Sequence, residues 1–165
     1  MRAETIYKLS RTLYLWKIFA LSSFLERLNY LLHNSYIPSS SHIGEETRFA
    51  YGGIGVVIHP HAHIGNHCLC GQGITIGGRN GIKAVPYIED NVYIGAGARI
   101  LGNIRIGHDS IIGPNSVVTK DVEPFSVVAG VPARLISKID RDNFEKKYKH
   151  YYGPKTFLET DKPNH

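Results

Sequence analysis

VVIHPHAHIGNHCLCGQGITIG (56–77) and YIEDNVYIGAGARILGNIRIGHDSIIGPNSVV (87–118) decide the fold, because both repeat with a step of six. Counting in sixes from Ile58 gives Ile64, Cys70, Ile76, Ile82, Ile88, Ile94, Ile100, Ile106, Ile112 and Val118, an apolar residue at each of eleven positions. The following residue is glycine at six of those eleven. The residue two before is mostly small or β-branched, as at Val56, Ala62, Cys68, Ile74, Val92, Ala98, Ile104, Ser110 and Ser116. A hexapeptide period of this kind is the signature of a parallel β-helix: short strands punctuated by turns where a missing Cβ permits tight or left-handed backbone. One rung cannot bury its own apolar side, so rungs stack into a stiff rod with a narrow, dry core.

The same step takes in Ile37, Ile43 and Phe49, but Phe49 to Ile58 is nine, which places three extra residues within AYGGIG (50–55). In GGRNGIKAVPY (77–87) Ile82 keeps the count, while the glycine and proline density predicts an outward loop. Loops on a rigid scaffold commonly carry the chemistry. Upstream, Ile6, Leu9, Leu13 and Trp16, then Leu21, Phe24, Leu25, Leu28, Leu31 and Leu32, recur at helical spacing. These predict two amphipathic helices that cap the open end of the rod, the alternative being helices that meet a membrane surface or a partner. Residues 140–152 (DRDNFEKKYKHYY) predict a short polar helix or tail. The expected division is therefore 1–36 helical, 37–137 β-helix and 138–165 C-terminal helix or tail.

Composition agrees with one compact domain: 165 residues, 42% hydrophobic, 20% charged, net charge +5. The positive excess lies at the two ends and the rod is neutral, so the basic stripe of a nucleic-acid binder is missing. Cys68 and Cys70 form neither a CxxC pair nor a zinc set and occupy interior slots, which predicts core thiols in a reducing compartment. Charges at Arg2, Glu4, Lys8, Arg11 and Lys17 break any signal-peptide core, and no run of eighteen apolar residues occurs, so a cytoplasmic location is expected.

Histidines cluster at His59, His61, His63 and His67. His59 occupies a turn slot where glycine is commonest, directly after the VVI strand, and is the candidate for an outward catalytic base. A metal site is the competing use of such a cluster, but no acidic residue occurs between Glu46 and Glu89. No metal is expected, and the absence of a G-x-S-x-G elbow argues against a serine triad.

The stretches GGIGVVIHPHAHIG (52–65), QGITIGGRNG (72–81), VPYIEDNVYIGAGARILGNIRIG (85–107) and SVVTKDVEPFSVVAGVPARLI (116–136) together resemble the hexapeptide-repeat acyltransferases, in the serine-acetyltransferase-like branch that includes capsule and exopolysaccharide O-acetyltransferases. The resemblance implies a mainly β protein built on a left-handed parallel β-helix, assembled as a homotrimer with active sites between subunits. It also implies acetyl-coenzyme A as donor, with the pantetheine arm along the coils against Gly77, Gly78 and Ala96, and with Lys120 and Arg134 toward the phosphates. The chain departs from true serine acetyltransferases where their DHATG-like and RHP-like motifs would fall: YGGIG (51–55) and AVPYI (84–88) carry no histidine. The GGIGVVIH text places the base at His59 instead. One histidine and backbone N–H donors suffice for acyl transfer from a thioester to a hydroxyl. The reading that follows is an O-acetyltransferase acting on a sugar hydroxyl of a capsule or surface polysaccharide or its precursor. Its alternatives are a serine O-acetyltransferase and a metal protein like a γ-type carbonic anhydrase.

Overall fold

The computed structural model describes residues 2–79, 84–143, 146 and 151. Helices α1 (Ala3–Leu15) and α2 (Phe19–His33) come first. Short strands follow: β1 (His42–Ile43), β2 (Arg48–Phe49), β3 (Val57–Ile58), β4 (His63–Ile64), β5 (Leu69–Cys70), β6 (Thr75–Gly77) and β7 (Tyr87–Ile88). The series continues with β8 (Tyr93–Ile94), β9 (Arg99–Leu101), β10 (Arg105–Ile106), β11 (Ile111–Ile112), β12 (Val117–Val118), β13 (Ser126–Gly130) and β14 (Ala133–Lys138). Every third strand stacks. One sheet is β1-β4-β7-β10, a second is β3-β6-β9-β12, and the third runs β2-β5-β8-β11-β13 before β14 folds back antiparallel on β13. All the other ladders are parallel.

The register explains the period. Ile43, Ile64, Ile88 and Ile106 stand in one column, Phe49, Cys70, Ile94, Ile112 and Val128 in another, and Ile58, Ile76, Ile100 and Val118 in the third. These columns fill the interior, with nearly all members fully buried. The slots two residues earlier are buried as well, and the serines there are bonded: Ser110 Oγ donates to Glu123 O at 3.0 Å and Ser116 Oγ accepts from Gly130 N at 3.1 Å.

The glycines after the slots serve close approach rather than left-handed backbone. A Cβ on Gly95 would lie 2.5 Å from Pro114 N of the next coil. The left-handed positions fall three residues after the slots, at Glu46, His67, Gly73, Asn91, Gly97, Asp109 and Asn115, only two of them glycine. Asn and Asp tolerate that region, which hides it from a reading based on glycine.

Both irregularities lie at corners. The AYGGIG insertion is a 3-10 turn at Ala50–Gly53 with Tyr51 and Gly52 left-handed. β6 pairs with β9 and β7 with β4, so among the described residues these two strands take successive places in neighbouring sheets on either side of residues 78–86. A step of twelve separates Ile76 from Ile88, and the outward loop expected there lies partly outside the described residues, Ile82 included. The polar helix expected over 140–152 is described only as one helical turn at Arg141–Asn143.

The N-terminal helices differ from each other. α1 closes the open end: Ala3 and Tyr7 join the core with Ile37, Phe49 and Val56, and Tyr7 Oη donates to Ser41 O at 2.9 Å. α2 docks through its polar side, with Ser22 Oγ 2.9 Å from Ser10 O and Ser39 Oγ, and Asn29 Nδ2 donating to Ala3 O at 3.1 Å. Ser22 and Asn29 are its buried residues, and its leucine stripe faces away. That inverts the capping arrangement expected of an amphipathic helix.

Two predictions follow from this packing. Denaturant unfolding of Gly95→Ala should show a loss of about 3 kcal/mol against backbone it cannot displace, while Gly73→Ala, left-handed but in open space, should lose about 1 kcal/mol; equal losses would mean that conformation, not contact, dictates these glycines. Cys68 and Cys70 are free, and burial pushes the Cys68 thiol up to about 12 and Cys70 up as well. Neither should react with a disulfide reagent at pH 8 in the folded protein, and both should react after unfolding.

Candidate active site

The corner after β3 is fixed by the ladder it leaves. His59 N donates to Ile76 O at 2.8 Å, and His59 O accepts from Ala62 N at 2.9 Å, so the half-buried imidazole projects from a short, fully bonded turn. Its Nδ1 accepts from the His61 amide at 3.1 Å, which puts the proton of the neutral ring on Nε2. The His61 ring lies 5.6 Å away at 52°.

The register Ile58–Ile76–Ile100–Val118 continues past the strands, so His59, Gly77, Leu101 and Thr119 share one edge of the rod. Three inter-strand spacings, about 14 Å, separate the first from the last. Gly77 differs from the glycines that press on neighbouring backbone: a Cβ there would meet only Thr75 Cγ2 at 3.9 Å and Leu101 Cδ2 at 4.0 Å. Packing among the described residues does not demand glycine at this point, and the missing side chain leaves a lane open along the edge. Gly78 continues it into solvent, whereas Ala96 stands on the preceding corner, its backbone packed over Gly71.

Lys120 and Arg134 line one cavity of about 390 Å³ between the last coil and the β13–β14 hairpin, together with Thr119, Val128, Ala133 and Lys138. Sequence reasoning missed Lys138, whose Nζ donates to Ser126 Oγ at 2.8 Å. Its signal was its place four residues after Arg134, where the hairpin strand passes the same end of the rod. Asp121 and Glu123 balance part of this charge.

The remaining histidines disperse. His63 stacks between His42, centroids 4.3 Å apart, and Tyr87, 4.1 Å apart, on the outer face of the first sheet, and Arg105 lies 5.1 Å over the Tyr87 ring. Burial, followed by the neighbouring His42, holds the His63 imidazole below its usual value against the opposing pull of Asp90. His67 Nδ1 pairs with Glu46 Oε2 at 3.2 Å. Among the described residues no three His, Cys, Asp or Glu side chains converge to hold a metal ion, so the three-imidazole cluster of the carbonic-anhydrase alternative is not formed there. His108 was passed over, yet its Nδ1 lies 2.8 Å from Asp109 Oδ2, in a cleft shared with Tyr87, Glu89, Asp90 and Asn91. The adjacent His-Asp pair in IGHDS was the available signal. Burial, its largest influence, raises the Asp109 carboxyl, partly offset by His108.

Residues 86–120 match the family description "Bacterial transferase hexapeptide (six repeats)". A serine acetyltransferase of Synechococcus elongatus is 36% identical over 137 residues, covering 82% of this chain and 56% of that protein. One from Bacillus subtilis is 34% identical over 148 residues, covering 86% of this chain and 68% of its own length. Among solved structures, the Brucella abortus serine acetyltransferase in complex with coenzyme A superposes with a TM-score of 0.79 at 31% identity, over 84% of this chain and 56% of that one. The chain thus spans little more than half the length of several of these relatives. The expected sugar acceptor is overturned: these relatives are serine acetyltransferases, in agreement with the alternative set beside it. Repeat, register and relatives agree, and the chain belongs to the hexapeptide-repeat transferase family, in its serine-acetyltransferase-like branch, with the left-handed parallel β-helix fold of that family.

Proposed function

We propose that this protein is a coenzyme A-dependent O-acetyltransferase that moves an acetyl group from acetyl-coenzyme A to the hydroxyl of L-serine. The observation that carries the donor half is the lane at Gly77, a glycine with no packing reason among the described residues, on the same edge as His59 and ending at the cationic cavity of Lys120, Arg134 and Lys138. A thioester arm lies along Gly77 and Gly78, with Ala96 on the preceding corner outside the lane, and the phosphates meet Lys120 and Arg134, whose guanidinium supplies paired donors. Serine as acceptor rests on the relatives named for that reaction.

His59 acts as the base. It removes the hydroxyl proton as the oxygen attacks the thioester carbonyl; the coenzyme A thiolate, a much weaker base than an alkoxide, then leaves and takes up the proton held by His59. The His61 amide holds Nδ1, so the ring turns before an unprotonated nitrogen faces the acceptor. Breaking that 3.1 Å hydrogen bond costs about 1 kcal/mol, small beside the gain from general-base catalysis. The active assembly is a homotrimer, in which a neighbouring rod closes the exposed lane, and it works in the cytoplasm where acetyl-coenzyme A is supplied.

Thiol release from acetyl-coenzyme A should depend on L-serine and fall by about a hundredfold or more in His59→Ala, with an unchanged melting temperature. Release that ignores serine would overturn the acceptor, and full activity in His59→Ala would overturn the base. Gly77→Val should melt with the wild type, because the chain has room for the side chain, yet raise KM for acetyl-coenzyme A by about tenfold or more by filling the lane.

A further inference from the structure

The α1–α2 hairpin carries the largest group of exposed apolar side chains among the described residues. Trp16 is 70% exposed and Leu31 78%, with Leu9, Leu15, Ile18, Phe19, Leu21, Phe24 and Leu32 about half exposed or more. The polar bonds from Ser22 to Ser10 and from Asn29 to Ala3 run the helices antiparallel and turn the α2 leucine stripe outward. Isolated apolar side chains on a surface need no explanation, but a continuous helical stripe does.

Charge identifies what covers it. The two acids of the hairpin are turned inward: Glu4 is buried beside Arg2, and Glu26 Oε1 accepts from Ser39 N at 2.7 Å. Lys8, Lys17 and Arg27 stay exposed and form no ion pair among the described residues. Lys17 stands at the hairpin tip between Trp16 and Ile18. Arg27 flanks Phe24 and Leu31, three and four residues away on the helix. Lys8 faces Glu45 and Glu46 across a surface cleft, but Lys17 and Arg27 stand among the exposed Trp, Phe and Leu side chains, so this face complements an anionic surface, whereas a two-fold contact with its own copy would oppose like charges. No described helix is long and apolar enough to cross a membrane. The 15 residues of α2 reach about 22 Å, short of the roughly 30 Å hydrocarbon core.

We propose that this hairpin docks the protein, in the plane of the interface, onto membranes rich in anionic phospholipid. Trp16, the sole tryptophan, enters the headgroup boundary and Lys17 and Arg27 meet the phosphates. The site is independent of the acetyl-transfer lane, and its test reads no catalysis.

The full chain is titrated with vesicles of phosphatidylcholine alone and of phosphatidylcholine with phosphatidylglycerol, following Trp16 emission and flotation. The expected result is a blue shift and co-flotation with the anionic vesicles, weakened by added salt. Lys17→Gln and Arg27→Gln should each weaken binding roughly fivefold. Phe24→Ser with Leu31→Ser, exposed positions that leave the melting temperature unchanged, should abolish it. Equal binding to both vesicle types would overturn the anionic assignment, and absence of binding to either would overturn the proposal outright. A blue shift that grows with protein concentration without vesicles, with a matching rise in mass, would overturn it in favour of a second copy.

Discussion

How closely one coil can lie on the next governs this molecule. Backbone of successive rungs meets at the corners, so near that a single methyl at Gly95 would clash with Pro114 N at 2.5 Å. The isoleucine columns obey the same constraint from inside, since strands two or three residues long give each coil only a few inward positions and all of them must be filled. Side chains one coil away also serve the turn amides. Asn66 Oδ1 accepts from Glu45 N at 2.8 Å, and Asp90 Oδ1 accepts from Asn66 N at 2.7 Å, a staircase of borrowed acceptors along one corner.

A filled rod leaves only its outside for chemistry. Where the close-approach constraint lifts, at Gly77, glycine no longer reports on the neighbouring coil and reports instead on space kept clear along the surface. The groups proposed for function are accordingly few and fixed: an imidazole on a turn whose amide and carbonyl are both engaged, and a cationic cavity at the far end. Rigidity of the turn limits the entropy lost on orienting a reacting pair, which is how a shallow site can act without a deep pocket.

The columns, the corner insertion at 50–55 and the placing of His59 could be read from the period, because an apolar slot every six residues has one geometric meaning. At Ile82 the count alone was ambiguous, since the residue keeps the step of six while the glycine and proline density of 77–87 points to a loop, and Ile82 lies outside the described residues. Helical periodicity located α2 and its apolar face but not the direction of that face, which depends on Ser22 and Asn29 finding partners on α1. Lys138 and the His108–Asp109 pair escaped for a related reason: each gains its meaning from neighbours far along the chain or buried beneath it. The acceptor was misread because the solenoid is shared by many chemistries, and the relatives rather than the repeat corrected it.

The excursion between β6 and β7 leaves and re-enters at one corner while Ile76 and Ile88 keep their places in the columns. Length can therefore be added or removed there without shifting any rung above or below, whereas a single residue inserted within a strand would rotate every side chain beyond it. The rod thus separates two kinds of change: its interior is frozen by stacking, and its corner segments are free to diversify at little risk to folding.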